Sequence, residues 1–358
     1  MKILLLSRYG PKGASSRVRF FQYLPALRAA GHSVEVAPFF NDDYLERLYA
    51  GRPRAWANIA RGYLQRVTRV HRGAHADLVW LEGEAFPWWP DVLERAFGPR
   101  RPIVVDYDDA AFHRYDRHPS FAVRAALSRK IDAVMRRSAL VVAGNDYIAD
   151  RARRAGARRV ERLPSVVDTD RFVPAPGARP NRPVTVGWVG TPATQKYLGS
   201  LREALRAFVA EGGARLVVVG ARPGADLPAE AEVRPWSEAA EAAELQALDV
   251  GIMPLPDDPW TRGKCGYKLI QYGAAGLPVV ASPVGVNTDI VVDRETGFLA
   301  DGTTAWLEAL RRLRDDAGLR DRLGRAGRPR VEDRYRLRSA TPVLMRLLDS
   351  VARAGGGQ

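Results

Sequence analysis

The sequence predicts an α/β protein with two doubly wound, Rossmann-like parallel-sheet domains that face a cleft. Short apolar runs rich in β-branched residues alternate with amphipathic segments along most of the 358 residues, which is typical of parallel sheets covered on both faces. The alternation stops at "VPAPGARPNRP" (173–183) and then restarts, so we expect a linker there. A chain of this length also suits two domains of ordinary size.

The first half opens with a predicted strand, "KILLLS", and one predicted helix through "RVRFFQYLPALRAA" (17–30), for which Ser15 and Ser16 are candidate N-caps. Four more strands follow, each with a helical segment behind it. We therefore assign residues 1–172 to an N-terminal domain. The four strands are predicted in SVEVAPF (33–39), ADLVWLE (76–82), RPIVVDYDD (101–109) and SALVVAG (138–144).

The second half repeats this pattern behind the linker. We assign residues 184–335 to a C-terminal domain, and we expect the helical tail, 336–358, to pack back toward the N-terminal domain. Ligands of doubly wound sheets bind beyond the carboxyl ends of the strands, so candidate site residues are sought in those loops. Its strands are predicted in VTVGWVG (184–190), RLVVVG (215–220), DVGIMPL (249–255) and PVVAS (278–282).

Composition narrows the function classes. The lone Cys265 excludes an internal disulfide and a cysteine zinc site, and no apolar run is long enough for a membrane span; both fit a cytoplasmic protein. The net charge of +14 suits nucleic acid, anionic lipid or phosphorylated small molecules, or is a compositional bias. The basic residues are spread along the chain without a recognition motif, so no nucleic-acid partner is predicted.

Two lysines stand out in an otherwise apolar segment, "KCGYKLIQYGAAG" (264–276). On a helix, Lys264, Lys268 and Gln271 fall on one stripe. Because two unpaired ammonium groups are costly to desolvate, we expect this stripe to face an anion. The alternative is a solvated helix face with two ordinary lysines.

Several motifs resemble retaining GT-B glycosyltransferases of the family-4 type, the glycosyl transferases group 1. The resemblance implies a transferase of the hexosyl type that moves a sugar from a nucleotide-diphosphate sugar to a glycan or lipid-linked acceptor, with retention of configuration, in cell-envelope or polysaccharide biosynthesis. The nucleotide-sugar binds mainly to the second domain in such enzymes, and no metal or other cofactor is expected. The motifs are GASSRVRFFQYLPALRAAGHSVEV (13–36), VGWVGTPATQKYL (186–198), ALDVGIMPL (247–255), KLIQYGAAGLPVVASPVGVNTDIV (268–291) and TGFLA (296–300).

The chain departs from this family at two glutamates. Their places are taken by Gly263 and Gln271. The resemblance implies that Gln271 still bonds the ribose, through its amide. It also implies that Lys264 takes over a sugar contact at the first place, or that the donor sugar differs from the common hexoses.

The resemblance places the diphosphate at the loop of Gly190 and Thr191. Lys196 matches the family's lysine, while Thr191 stands where an arginine is common, so Lys268 is the expected second cation. For Lys196 the alternative is an ordinary surface lysine. Gly13, in the first loop, is expected to let the backbone approach the ligand, or to serve a plain turn.

The catalytic candidates lie in "DYDDAAFHRYD" (106–116). Three carboxylates so close together require raised pKa values or a shared cation. Relatives commonly carry a His-Asp pair here, and this chain has Tyr107 and Asp108. We therefore expect Asp108 to orient or deprotonate the acceptor hydroxyl, with His113 as the second choice. A metal site and a structural role are the alternatives, and no metal ligand is assigned.

A basic amphipathic segment, residues 54–72, suggests contact with an anionic membrane surface, or a core-packing helix with solvated arginines. Trp88 and Trp89 suggest an interfacial contact or a sugar-stacking surface. Membrane contact would make the protein peripheral at the inner face of the cytoplasmic membrane, with a lipid-linked acceptor.

Other functions on the same scaffold remain open, because a fold does not fix an activity. One is a nucleotide-sugar epimerase or phosphorylase, and another is a non-catalytic carbohydrate binder that has lost its carboxylates. The lysines and the Asp108 loop favour the transferase, since a binder needs no charged site for a leaving group.

Overall fold

The structure is a computed structural model that describes residues 1–53, 55–176, 182–224 and 226–355. The chain divides into two compact units, each with its own sheet. Part of the predicted linker, residues 177–181, lies outside the described residues. The first unit comprises Met1–Ser165, Arg262–Cys265 and Arg338–Gln358, and the second comprises Val166–Thr261 and Gly266–Leu337.

Each unit contains a six-stranded, wholly parallel sheet. Parallel sheets were predicted for both halves of the chain, but not the number of strands. The strand order is β2-β1-β3-β4-β5-β6 in the first sheet and β12-β11-β10-β7-β8-β9 in the second. The strands of the described residues are β1 Lys2–Leu6, β2 Ser33–Val36, β3 Leu78–Glu82, β4 Ile103–Tyr107, β5 Leu140–Ala143, β6 Val160–Arg162, β7 Val184–Val189, β8 Ala214–Val219, β9 Glu232–Arg234, β10 Val250–Met253, β11 Val279–Ala281 and β12 Gly297–Leu299.

Central strands form where the sequence is apolar on consecutive residues, because both faces of a parallel sheet are covered. All residues of β4, β5, β7 and β10 are buried. On one face of the first sheet, Phe20 and Tyr23 pack against Trp80, with ring centroids 4.7 and 6.4 Å apart. Three short strands, β6, β9 and β12, were not predicted. Strands β6 and β9 are polar and partly exposed, so they give no apolar pattern.

Helices cover both sheets. The α-helices of the described residues are α1 Ala14–Arg19, α2 Leu24–Ala29, α3 Asp42–Tyr49, α4 Trp56–Arg72, α5 Asp91–Phe97, α6 His113–Asp116, α7 Phe121–Leu127, α8 Lys130–Arg137, α9 Asp146–Arg154, α10 Arg202–Ala210, α11 Glu241–Gln246, α12 Pro259–Arg262, α13 Tyr267–Ala274, α14 Asn287–Ile290, α15 Gly302–Asp315, α16 Ala317–Arg334 and α17 Leu337–Gly355. None of them is long and apolar enough to cross a membrane.

The first predicted helix is broken in two. A 3₁₀ turn, Phe21–Tyr23, separates α1 from α2, and Pro25 stands at the start of α2, where its missing N–H is tolerated. The N-cap of α1 is Gly13, without a side-chain capping bond. The prediction that Ser15 or Ser16 caps this helix was therefore wrong, because both lie inside it.

The helix predicted over 264–276 is shorter than expected. It begins at Tyr267, because Gly266 adopts a left-handed conformation (φ +65°) at its N-cap. Lys264 therefore precedes the helix and does not share a stripe with Lys268. The predicted stop is found at Gly276, which is also left-handed (φ +67°).

The division into units differs from the predicted domains in two places. Residues 166–172 join the second unit, where the Val167 N–H donates to the Tyr335 carbonyl at 2.9 Å and the Leu337 N–H donates to the Val167 carbonyl at 2.9 Å. Arg262–Cys265 joins the first unit, where the Asn145 amide donates to the Gly263 carbonyl at 2.8 Å. Arg338–Gln358 also falls in the first unit.

Candidate functional site

In the first unit, Glu82 organises the polar side chains at the carboxyl end of β3. Its carboxylate accepts hydrogen bonds from the Arg8 backbone N–H at 2.7 Å, from the Ser15 hydroxyl at 2.9 Å and from the Ser16 hydroxyl at 2.6 Å. The loop after β1 is thereby tied to the end of β3. Sequence reasoning missed Glu82, although a carboxylate at the end of an apolar strand was its signal.

Asp106 does not take part in the predicted group of three carboxylates. Its two oxygens accept hydrogen bonds from the Arg19 guanidinium at 2.8 and 3.0 Å, and both side chains are buried. Such a bidentate pair fixes α1 against β4. Asp106 is therefore structural, which leaves Asp108 and Asp109.

Asp108 and Asp109 differ in their surroundings. Burial, together with the charges of Asp109 and Glu82, raises the pKa of Asp108 to about 7. Asp109 lies 3.2 Å from the Lys264 ammonium. Asp108 thus has the proton affinity that suits a general base near neutral pH.

His113 has a partner at each ring nitrogen. Nδ1 lies 2.7 Å from the Asp116 carboxylate, and Nε2 lies 2.8 Å from the Tyr147 hydroxyl. Burial lowers the pKa of His113, although hydrogen bonding to Asp116 opposes this shift. To act on a substrate, the imidazole would first have to give up one of these two hydrogen bonds.

The segment Arg262–Cys265 is packed so closely that it excludes a side chain at residue 263. A Cβ at Gly263 would lie 2.4 Å from the Ala110 Cβ, far inside van der Waals contact. Asn145 holds the segment, and its amide also donates to the Lys264 carbonyl at 3.1 Å. The glutamate expected at residue 263 is therefore replaced for a physical reason, and Lys264 is held beside Asp109.

The position of Gly13 also has no room for a side chain. Its φ of −76° suits any residue, but a Cβ there would lie 2.4 Å from the Tyr9 Cβ. Gly13 therefore allows the loop after β1 to fold tightly against Tyr9, which is the turn alternative.

In the second unit, the loop after β7 follows a tightly packed glycine. A Cβ at Gly190 would lie 2.2 Å from the Trp188 indole, which occupies the space. The next residue, Thr191, closes a turn with Thr194, whose hydroxyl donates to the Thr191 carbonyl at 3.0 Å. Lys196 is exposed, and its ammonium lies 5.3 Å from the centroid of the Tyr197 ring.

The Trp188 indole also contacts Lys268. The Lys268 ammonium lies 5.1 Å from the centroid of the indole, which is the geometry of a cation–π interaction. One tryptophan therefore connects the Gly190 loop with the lysine of α13.

Gln271 is buried on α13, and its Nε2 has no hydrogen-bond partner among the residues that the structure describes. A buried donor without an acceptor is costly. An added acceptor at this position would therefore be stabilising.

Sequence reasoning also missed Arg222. The Gln195 amide binds both backbone groups of this residue: Oε1 accepts from the Arg222 N–H at 2.8 Å, and Nε2 donates to the Arg222 carbonyl at 3.1 Å. The loop after β8 is thereby fixed to the 3₁₀ helix that carries Lys196. Arg222 is exposed and adds a second cation at the carboxyl ends of β7 and β8.

The helix predicted over 54–72 is found as α4, and residue 54 lies outside the described part. Tyr63 and Val67 pack against the core of the first unit, and Val70 is part of it. Trp56, at the start of the helix, is 72% exposed. Most of the apolar face is thus used in packing, as the core-packing alternative requires.

The described part of the chain holds no group of three His, Cys, Asp or Glu side chains placed to bind a metal ion.

The comparisons with known proteins agree with this fold. Residues 183–316 match the family model described as "Glycosyl transferases group 1". A sucrose-phosphate synthase from Thermosynechococcus elongatus covers 99% of this chain and 100% of its own, with a TM-score of 0.76 and 17% sequence identity. HepE from Anabaena, solved in complex with UDP and glucose, covers 98% and 100%, with a TM-score of 0.69 and 15% identity.

Curated relatives match over shorter stretches. A GDP-mannose-dependent alpha-(1-6)-phosphatidylinositol monomannoside mannosyltransferase from Mycolicibacterium smegmatis is 32% identical over 218 residues. A D-inositol 3-phosphate glycosyltransferase from Corynebacterium diphtheriae is 39% identical over 81 residues. The matches cover 53% and 22% of this chain, and they span 56% and 18% of the lengths of these relatives.

The matched family model lies on the unit that carries Gly190, Lys196 and Lys268. The two solved structures extend the likeness of fold to both units. Residues 183–316 are therefore similar to glycosyl transferases group 1, and the predicted fold class is confirmed.

Proposed function

We propose that the protein transfers a sugar from a nucleoside-diphosphate sugar to a hydroxyl group of a glycan or lipid-linked acceptor. The observation that carries the proposal is the cation–π contact of Lys268 with Trp188 beside the Gly190 loop, within the matched family domain. An ammonium group held on an indole next to a loop at strand ends suits a diphosphate. UDP is bound in the structure of HepE, and the mannosyltransferase relative depends on GDP-mannose; both support the same donor class.

In this proposal, cations of the second unit stabilise the leaving diphosphate. The bond from the sugar C1 to the diphosphate oxygen breaks while the bond from C1 to the acceptor oxygen forms. Negative charge grows on the diphosphate, where Lys268, Lys196 and Arg222 lower the energy of the transition state. Arg222 joins Lys268 in replacing the cation that Thr191 does not supply.

The proton of the acceptor hydroxyl goes to Asp108 or to the leaving phosphate oxygen. Transfer on the front face of the donor, without a protein nucleophile, gives retention of configuration. The pKa of Asp108, raised to about 7, makes this carboxylate a suitable base near neutral pH. Gln271 donates a hydrogen bond from Nε2 to a ribose hydroxyl. The hydroxyl oxygen is then the acceptor that this buried amide lacks.

We place the reaction in polysaccharide or cell-envelope assembly, on the cytoplasmic side of the membrane. One relative is named as a phosphatidylinositol monomannoside mannosyltransferase, which supports a lipid-linked acceptor. The exposed Trp56, on the basic helix α4, is the proposed residue for membrane contact. Flotation with vesicles of phosphatidylcholine and phosphatidylglycerol tests this part. Absence of flotation, with and without the anionic lipid, would remove it.

The donor is tested by thermal unfolding with UDP-, GDP-, TDP- and CMP-sugars. One nucleotide-sugar at about 100 times its Kd should stabilise the native state by about 2.7 kcal/mol, which raises Tm by several degrees. Lys268→Ala should lose most of this response while its unliganded Tm stays close to that of the parent. Lys12→Ala, at a surface lysine of the first unit, should respond like the parent.

The outcome separates the candidate activities. No response to any donor would contradict the proposal and would favour a non-catalytic carbohydrate binder. A response without sugar transfer to added acceptors would favour an epimerase or a phosphorylase.

A further inference from the structure

Trp88, in the loop that follows β3, is exposed and has an uncommon backbone conformation. Its side chain is 45% exposed, and its φ is +65°, a region that bulky residues avoid because the Cβ is crowded there. Such conformations persist where the surrounding structure fixes them, and they cluster at ligand sites.

Hydrogen bonds fix this loop from two sides. The Trp88 N–H donates to the Tyr115 hydroxyl at 3.0 Å, and that hydroxyl lies 2.8 Å from the Glu84 carboxylate. The buried Lys130 ammonium lies 2.6 Å from Glu84 and also donates to the Phe86 carbonyl. The conformation of Trp88 is thus set by buried groups, before any ligand arrives.

The neighbouring Trp89 shows what a structural tryptophan looks like in the same loop. Its ring lies parallel to Tyr63 and to Phe86, with interplanar angles of 8° and 13°. The rings that contact Trp88 in the described part of the chain, Tyr115 and His118, stand at 81° and 82° to it. Parallel rings therefore stack on Trp89, whereas the contacts of Trp88 are edge-on.

The position of Trp88 is that of a ligand site in a doubly wound sheet. Its own loop leaves the carboxyl end of β3, while Tyr115 and His118 follow the carboxyl end of β4, as Asp108 does. The C–H face of a pyranose ring is apolar and weakly positive, so it stacks well on the negative face of an indole. A rigid, half-exposed indole at this edge suits such a ring.

We propose that Trp88 is a stacking platform for a pyranose ring of the acceptor, in the first unit. The assignment to the acceptor rests on the proposed function, but binding of a pyranose at Trp88 does not. The acceptor class that follows is a glycan or glycolipid with a sugar ring next to the hydroxyl that is modified.

The test is saturation-transfer NMR on the full chain with methyl α-mannopyranoside and methyl α-glucopyranoside, and with the acyclic mannitol as a probe that lacks a ring. We expect saturation on the ring C–H protons of at least one glycoside and much less on mannitol. Trp88→Ala should reduce it about tenfold, whereas Trp88→Phe should keep most of it, because a smaller aromatic ring still stacks. Phe121→Ala removes another exposed aromatic side chain of the same unit and should leave the saturation unchanged.

Trp88→Gly separates loss of the indole from loss of the fold, because glycine adopts the left-handed conformation without strain. The Tm of this variant should match that of the parent, while the glycoside signal is lost. Unchanged saturation in both Trp88→Ala and Trp88→Gly would overturn the proposal. Loss of flotation with phosphatidylcholine–phosphatidylglycerol vesicles, with glycoside binding intact, would also overturn it and assign Trp88 to a membrane surface. The donor response of these variants reports on the second unit, so failure of the proposed function is seen separately.

Discussion

At the scale of single residues, Asp108 determines how activity should depend on pH. If it accepts the acceptor proton, kcat/KM should rise with pH through a midpoint of about 7, because the carboxyl must be ionised to act as a base. Asp108→Asn should lower kcat by about 10²–10⁴-fold and flatten this profile. Glu82→Gln should move the midpoint to lower pH, since the charge of Glu82 raises the pKa of Asp108.

The same carboxyl should also affect stability. Because the pKa of Asp108 is raised in the folded state, its contribution to the free energy of unfolding is fully present below about pH 4. That contribution is lost as the pH rises through about 7. Asp108→Asn should therefore stabilise the protein at pH 8 by on the order of 1 kcal/mol, a value reduced for partial exposure, and by nothing at pH 4. Urea unfolding at the two pH values checks this. An equal effect at both pH values would contradict the raised pKa.

Gly190 is the second residue with a clear expected effect. Gly190→Ala places a Cβ on the Trp188 indole, so it should cost about 1–3 kcal/mol of unfolding free energy and weaken donor binding through Lys268. Gly318→Ala is the control, because Gly318 is an exposed residue of α16 and alanine favours helix. Urea unfolding and the donor response are measured for both. Parent-like values for Gly190→Ala would show that the indole has room to move.

Residue roles followed from the sequence only where a motif carried them. Asp108, Gly190 and Lys268 were predicted from strand ends and from the family resemblance, and their roles stay predictions. Lys264 was placed on the wrong element, because the left-handed Gly266 ends the periodicity that the lysine spacing suggested. Glu82 and Arg222 were missed, since their roles depend on hydrogen bonds from residues far away in the chain.

At the scale of elements, Lys130 joins α8 to the loop after β3. Its ammonium lies 2.6 Å from Glu84 and 3.1 Å from Glu94, and all three side chains are buried. Lys130→Met should cost about 3–5 kcal/mol, because it removes the buried cation that Glu84 and Glu94 share and leaves them only partly exposed arginines as partners. The measurement is the urea unfolding transition of the first unit.

Two further variants complete this test. Glu94→Gln combined with Lys130→Met should recover part of the loss, since Gln still accepts from the Ala85 N–H and carries no charge. Lys12→Met, in an exposed pair with Glu46, should leave the transition nearly unchanged. Equal effects of Lys12→Met and Lys130→Met would mean that burial of the Lys130 pair has no energetic weight.

The predictability of elements depended on their length and burial. The long apolar runs of β1, β4, β7 and β8 were predicted because burial on both faces leaves a continuous signal. The helix over 17–30 was predicted as one piece because its apolar pattern continues across the 3₁₀ turn. The edge strands β6 and β9 are partly exposed and polar, so their sequences resemble loops.

At the scale of the whole molecule, α17 belongs to the first unit although it follows the second in sequence. Its buried side chains include Leu344, Leu348 and Val351, and burying each such side chain stabilises by up to about 1.5–3 kcal/mol. A chain that ends at Leu337 should therefore lower the Tm of the first unit, whereas the donor response of the second unit should persist.

The control for this truncation is a chain that ends at Gly355, which keeps all of α17 and should unfold like the parent. Two-transition calorimetry or urea unfolding follows the units separately. A truncated chain with an unchanged first transition would mean that α17 adds little to that unit.

The two-sheet architecture was predictable because strand–helix alternation restarts after a proline-rich stretch. The exact division was not, since it depends on which unit a short segment contacts. Residues 166–172 and Arg262–Cys265 carry no compositional mark of the unit that they join. A backbone hydrogen bond to Tyr335 decides it in one case, and a hydrogen bond from the side-chain amide of Asn145 decides it in the other.

The placement of α17 also bears on synthesis of the chain in the cell. Translation proceeds at about 5–20 residues per second, and domains generally fold as they emerge. The second unit is complete on the ribosome before α17 has been made, so the apolar surface that Leu344, Leu348 and Val351 cover in the first unit is exposed for that time. The first unit can therefore complete its packing only after the residues of α17 have been made, although its sequence begins first.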